Sequence, residues 1–172
     1  KDILTKFKII LEQILEKQDK KHAEISLLSK EEHQQIVYDW NKTEASYHKD
    51  KVIQQLFEEQ VKKTPDKIAV VFENQRLTYY ELNERSNQLA STIRKKYYEL
   101  WNTDVKGDTL IGIYIERSLE MIIGILGILK SGAAYVPFDT DDPKERLKFK
   151  INDCGCKMVI TASSCMKNLL FL

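Results

Sequence analysis

Leu110–Phe138, LIGIYIERSLEMIIGILGILKSGAAYVPF, holds a strand, a helix and a second strand in succession. Leu110 to Ile115 is apolar and β-branched with few polar interruptions, as expected of a strand covered on both faces in a parallel sheet. Ser118 stands where a hydroxyl can cap the helix that follows. That helix, Leu119 to Lys130, is apolar around most of its circumference, which predicts burial on several sides. Gly124 and Gly127 inside it each lower helix propensity by about 1 kcal/mol relative to alanine, a loss that close packing against another element would justify. Gly132 is placed to end the helix, and Ala134 to Phe138 reads as a short extended segment ending near Pro137. Strands joined by helices of this length imply right-handed crossovers and a mostly parallel sheet.

The alternation extends to both sides. Val52, Ile53, Leu56, Phe57 and Val61 predict the inner face of a helix that stops before Pro65, because the residue preceding proline avoids helical geometry. Ile68 to Phe72 reads as a strand, Glu73–Arg76 as its turn, and Leu77 returns the chain. Thr78 and Glu81 form a capping box that opens a helix through about Lys96, with Leu82, Leu89 and Ile93 on one side. Beyond the opening stretch, Asp142, Pro143 and Glu145 supply an N-cap, an N1 proline and an N3 acid, so a helix is expected to about Asp153, ended by Gly155. Lys157 to Thr161 is a further strand, followed by a short helix that Ser163 or Ser164 would cap.

Upstream of residue 49 the texture differs. Residues 2–19 place Ile3, Phe7, Ile10, Leu11, Ile14 and Leu15 at the three- and four-residue spacing of an amphipathic helix. Its stripe suits a partner protein or a membrane surface, but packing on its own parent domain is the commoner use. Residues 20–48 read as a linker, with a short helix opened by the capping box of Ser29 and Glu32. Tyr38 and Trp40 are large aromatic anchors, which predicts a linker docked on a neighbour.

Composition narrows the functional classes. Lys and Arg total 27 against 26 for Asp and Glu, a net charge of +1, so there is no field to draw in nucleic acid or anionic lipid. The most apolar run, Met121–Leu129, is far shorter than the roughly 20 residues of a membrane-spanning helix, and residues 1–24 do not read as a signal peptide. Cys154, Cys156 and Cys165 are an odd number confined to the end of the chain, unlike a secreted disulfide framework, and a reducing cytoplasm fits better. Lys1 and the apolar run Leu169–Leu172 are the ends expected of a segment taken from a longer protein.

A search for chemistry finds no catalytic, cofactor-binding or metal-ligating residue to nominate. The three cysteines fall one short of the four ligands of a closed structural zinc site and read as buried small hydrophobes. His22, His33 and His48 lie in the N-terminal region without a nucleophile motif beside them. Gly124, Gly127, Gly132 and Gly155 do not spell a dinucleotide fingerprint or a phosphate loop. Glu116–Arg117 and Lys144–Glu145–Arg146 sit at helix starts, where capping and the helix dipole account for them.

Two segments carry a family resemblance. Leu77–Ala90, LTYYELNERSNQLA, resembles the first core motif of adenylation domains in nonribosomal peptide synthetases, and Leu129–Pro137, LKSGAAYVP, resembles the second. The intervening Ile111–Met121 is similar to the family as well. Ser131 and Ala133 depart from it, standing where alanine and glycine are more usual, and Tyr97–Lys106 is longer than the usual connection. Leu27–Thr43 resembles the linker between a condensation domain and the adenylation domain after it.

The resemblance implies residues 1–22 as the C-terminal helix of a condensation domain, 23–48 as the inter-domain linker, and 49–172 as the truncated N-terminal part of an adenylation domain. The fold implied is α/β, an incomplete N-terminal subdomain of the AMP-dependent synthetase/ligase fold, with a separate helix and linker in front. A complete domain would activate an amino acid with ATP and magnesium to an aminoacyl adenylate, then load it onto the phosphopantetheine of a carrier domain, in the cytoplasm and in secondary-metabolite synthesis. The family's catalytic motifs fall beyond Leu172, so this chain alone is expected to be inactive. Two alternatives stand beside that reading: a small interaction or docking remnant without catalysis, and a fragment of an acyl-CoA-synthetase-like ligase.

Overall fold

A computed structural model of the protein describes residues 2–16, 21–47 and 49–169. Residues 17–19 of the expected first helix, His48, and Leu170–Leu172 lie outside the described residues. The chain divides into two compact units, Lys1–Lys49 and Asp50–Leu172.

In the first unit α1 spans Asp2–Glu16 and the four-residue α2 spans Lys30–His33, continuing as a π-helical turn over Gln34–Asp39. The expected capping box forms: Glu32 N–H donates to Ser29 Oγ at 3.1 Å, and Ser29 N–H donates to Glu32 Oε2 at 2.8 Å. Gln13 on α1 holds the segment leading into α2, donating to Ser26 O at 2.7 Å and accepting from Ser26 N–H at 2.9 Å. Lys6 pairs with Glu32 across the same gap. Much of the apolar stripe of α1 is open, with Ile3, Leu4, Phe7 and Leu15 all exposed. Tyr38 and Trp40 are exposed as well, and the ring near Tyr38 among the described residues is that of His33, at 5.9 Å.

The second unit opens with α3, Ile53–Lys63, followed by β1, Ile68–Phe72, and β2, Gln75–Thr78. Only part of the expected inner face of α3 is inside: Val61 is buried and Phe57 packs on the core, while Val52 and Ile53 are exposed because they occupy the N-cap and first turn, at the helix's open end. β1 and β2 form an antiparallel hairpin with Phe72 opposite Gln75, so Gln75 and Arg76 already belong to the return strand and the turn is the pair Glu73–Asn74. Glu73 takes the left-handed conformation this tight turn requires, φ 52°.

Helix α4 runs from Tyr79 to Trp101, one turn longer than its pattern announced, and closes on Asn102 in the left-handed region. Its capping box is in place, with Glu81 N–H donating to Thr78 Oγ1 at 3.2 Å. Then come β3, Leu110–Tyr114; α5, Leu119–Ser131; β4, Ala134–Pro137; α6, Lys144–Asp153; and β5, Met158–Thr161. β3 is the middle strand of a parallel sheet in the order β4-β3-β5. The start of α6 differs from expectation: Pro143 is the N-cap, and the carboxylate of Asp142 is taken up instead by Arg146 and Lys150, one and two turns along. The last helix is a 3₁₀ turn over Met166–Leu169, entered through a turn in which Cys165 N–H donates to Ala162 O.

The core forms where α4 and α5 cover the sheet. Ile93 from α4, Ile111 and Ile113 from β3, and Ile128 from α5 are buried together, each at 4% exposure or less. A second cluster on β3 and α6 gathers Tyr114, Phe138, Leu147, Ile151 and Cys165. β3 is therefore covered on both faces, which is why its sequence shows no polar alternation.

Candidate functional site

In open parallel sheets ligands meet the C-terminal ends of the strands, so the residues there are the first to consider. At that end of β3 the Tyr114 hydroxyl donates to Thr140 O at 3.1 Å, beyond β4, while Thr161 Oγ1 on β5 donates to Tyr114 O at 2.9 Å. One buried tyrosine thus ties the three strand ends together. Phe138 fills the space beside them, its ring lying where a side chain on Gly112 would have to go, 2.4 Å from an ideal Cβ. Glu116 and Arg117 leave this edge exposed, and Ser118 Oγ turns inward to donate to Glu116 O and accept from Met121 N–H. Apart from the exposed Glu116 and Arg117, the residues at this edge hold the backbone.

The strongest polar constellation lies elsewhere, on α5. The Lys130 side chain is 4% exposed, and its ammonium donates to Asn83 Oδ1 at 2.7 Å, Asn87 Oδ1 at 2.8 Å and Glu58 Oε1 at 2.8 Å. The Phe57 ring stands 5.5 Å away as a further cation–π partner. Three donors meet three acceptors, so the amine has no hydrogen left for a ligand. Around it the last carbonyls of α5 are closed by side chains: Arg94 donates to Lys130 O at 3.0 Å and Gln54 to Leu129 O at 3.3 Å. Gly132, at φ 95°, completes the end with paired bonds from Gly132 N–H to Leu129 O and Ala133 N–H to Ile128 O. The site is a clamp that joins α3, α4 and α5. Sequence reading missed it, although Asn83 and Asn87 are four apart on one helix face and Lys130 is the lone cation of an apolar helix.

The other singled-out residues fall apart in space or into packing. Cys165 is buried, whereas Cys154 and Cys156 are half-buried with their sulfurs 3.2 Å apart. Among the described residues no group of three or more His, Cys, Asp or Glu is placed to hold a metal. His22 and His33 belong to the first unit. Lys144, Glu145 and Arg146 are exposed on the first turn of α6. The departures at Ser131 and Ala133 are accommodated: both are buried, and Ser131 Oγ donates to Ile128 O at 2.7 Å. Among the described residues no helix is long and apolar enough to cross a membrane.

A nucleotide phosphate needs a concave set of free backbone N–H groups, which glycines usually allow. Gly112, Gly124 and Gly127 face Phe138, Ile113 and Leu89 at distances that leave no room for one. The N–H groups of Gly132 and Gly155 are spent on Leu129 O and Asn152 O at helix ends. Gly107 stands in open space, and the other five of the six glycines do not fit a triphosphate.

A hairpin, a covered parallel sheet and a clamp of three helices make an α/β scaffold. A family model described as AMP-binding enzyme matches residues 57–170, and the chain belongs to that family. It is 43% identical over 169 residues to gramicidin S synthase 2 of Brevibacillus brevis, covering 98% of this chain and 4% of that protein. The N-terminal subdomain of NpsA from Klebsiella oxytoca superimposes with a TM-score of 0.57 at 30% identity, covering 66% of this chain and 28% of the other. NpsA-ThdA, an artificially fused adenylation–PCP di-domain NRPS from the same organism, gives 0.58 at 30% identity, over 64% of this chain and 20% of that one. The α/β fold is that of the N-terminal part of an adenylation domain, of which this chain spans a portion.

Proposed function

We propose that this chain is the opening scaffold of an amino-acid adenylation domain in a nonribosomal peptide synthetase, with residues 1–22 as the last helix of a preceding condensation domain, 23–48 as the linker and 49–172 as adenylation sequence. The observation that carries this reading is one of extent. The family model starts at residue 57, yet the likeness to gramicidin S synthase 2 covers 169 residues, 98% of the chain. The helix and linker upstream of the α/β unit are therefore shared with a peptide synthase, as a stand-alone ligase would not require.

In this reading the parent enzyme activates an amino acid with ATP and magnesium and passes it to a phosphopantetheinyl carrier in the cytoplasm. The groups that meet nucleotide and amino acid belong to other parts of the domain, since five of the six glycines are packed or spent on helix ends and the buried Lys130 amine is saturated. What this portion supplies is rigidity: the Lys130 clamp fixes three helices behind the sheet, and Tyr114 fixes the strand ends toward which substrate would lie.

A chimera tests it. Residues 50–169 are placed in an adenylation domain of gramicidin S synthase 2 in place of the matching segment, and amino-acid-dependent ATP–pyrophosphate exchange is measured. The chimera should retain exchange with its host's amino-acid preference, while the 172-residue chain alone shows none. A folded chimera without exchange, or turnover by the chain alone, would overturn the assignment.

A further inference from the structure

The end of α6 carries a second kind of chemistry. Two backbone bonds close this helix, from Gly155 N–H to Asn152 O at 3.2 Å and from Cys156 N–H to Ile151 O at 3.3 Å. With Gly155 at φ 65° they make a Schellman turn. A chain that turns back in this way brings the side chains on either side of the left-handed residue together. Here those side chains are Cys154 and Cys156, whose sulfurs stand 3.2 Å apart, with the Cys154 thiol donating to Cys156 Sγ. A disulfide bond requires about 2.05 Å between sulfurs, so the pair must close by little more than 1 Å.

We propose that Cys154 and Cys156 are a reversible thiol–disulfide exchange site whose reaction partner is a low-molecular-weight disulfide of the glutathione type. The Cys154 thiolate attacks one sulfur of the small disulfide, forming a mixed disulfide and expelling one thiolate. Cys156 then attacks Cys154 Sγ, forming the internal bond and expelling the second thiolate. The two protons given up by the cysteines end on the two released thiols, and the small disulfide is the species reduced. Burial pushes the Cys156 thiol up to about 12, so the first, intermolecular attack falls to Cys154 and Cys156 reacts only where proximity offsets its scarce thiolate. Cys165 is 1% exposed in the cluster with Tyr114, Phe138, Leu147 and Ile151 against which Cys154 and Cys156 pack, and its burial keeps the small disulfide from it. A bond that closes so short a loop restrains little of the unfolded chain and holds strain, so it is a labile mark and not a structural brace.

The experiment equilibrates the 172-residue chain with glutathione buffers of graded redox ratio under native conditions, quenches in acid, alkylates and maps the peptides. Cys154 and Cys156 should lose their alkylation together, in a peptide lighter by two hydrogens, with Cys165 still a free thiol once the chain is unfolded. Excess reduced glutathione should restore both. In urea, or in Gly155→Ala, whose reduced form relaxes away from a left-handed turn costly to alanine, the oxidised fraction at a fixed ratio should fall about tenfold. Both thiols still reduced at ratios that oxidise other closely paired thiols, stable glutathione adducts in place of the internal bond, or a link to Cys165 would overturn the proposal. So would an oxidised fraction unchanged by both urea and Gly155→Ala, because the pairing would then owe nothing to the folded turn.

Discussion

Lys130 shows how one residue can look like a catalyst and serve as a joint. A buried amine is costly unless its charge is met, and here two amide oxygens and a carboxylate meet it at 2.7–2.8 Å. The carboxylate is the weaker part of the arrangement, since the Glu58 side chain is 46% exposed and shares its charge with water. Lys130→Met keeps the length and apolar stem while removing the ammonium. It leaves two asparagine oxygens short of a donor, so the loss of stability should be about 2 kcal/mol, read as a lower urea midpoint with an unchanged slope. Glu58→Gln should cost less than about 1 kcal/mol in the same measurement. The reverse order of these two effects would show that the ion pair and not the amide cradle holds the joint.

Elements were legible in the sequence where a local rule fixed them, and less so where a distant contact did. Thr78 with Glu81 and Ser29 with Glu32 place two helix starts correctly, because a capping box is closed by residues three apart. Asp142 misled because its carboxylate is claimed by Lys150 and Arg146, partners that appear only once the helix exists. The Lys130 clamp was hidden for the same reason: Glu58 and Asn83 are 72 and 47 residues away in the chain. Gly124 and Gly127 were read as positions of close packing, and the structure separates them. An alanine methyl at Gly127 would meet Leu89 from Cβ to Cδ2 at 2.7–3.0 Å, at the base of a side chain on α4. At Gly124 it would meet only the tip of Ile113, Cδ1 at 2.8 Å, which a rotamer change can withdraw. Gly127→Ala should therefore destabilise by about 1–3 kcal/mol through displacement of α4. Gly124→Ala should be within about 1 kcal/mol of neutral, the gain in helix propensity offsetting a small repacking. Thermal unfolding of the two variants side by side decides this, and equal losses would mean that both glycines are gripped alike.

At the scale of the molecule, the second unit has a covered face and uncovered sides. β3 is flanked on both sides, but among the described residues β4 and β5 each pair with β3 alone, so there the parallel sheet ends in two strands whose outer N–H and C=O groups have no strand beside them. Such edges are templates for pairing with another chain unless charge, proline or a covering element blunts them. β4 reads Ala134-Tyr135-Val136-Pro137, and its only blunting feature is the terminal proline; Tyr135 is 40% exposed. β5 reads Met158-Val159-Ile160-Thr161 and carries no charge. With a net charge of +1 there is little long-range repulsion to keep copies apart. The isolated chain should therefore associate as its concentration rises, with the weight-average mass from light scattering climbing above that of a monomer. Tyr135→Lys puts a charge on the β4 edge without touching the buried residues of β3, and it should return the mass toward the monomer value while the thermal midpoint stays within a few degrees. Association that survives the lysine but disappears when Ile3, Phe7 and Leu15 are made polar would assign self-association to the exposed stripe of α1 and not to the open sheet.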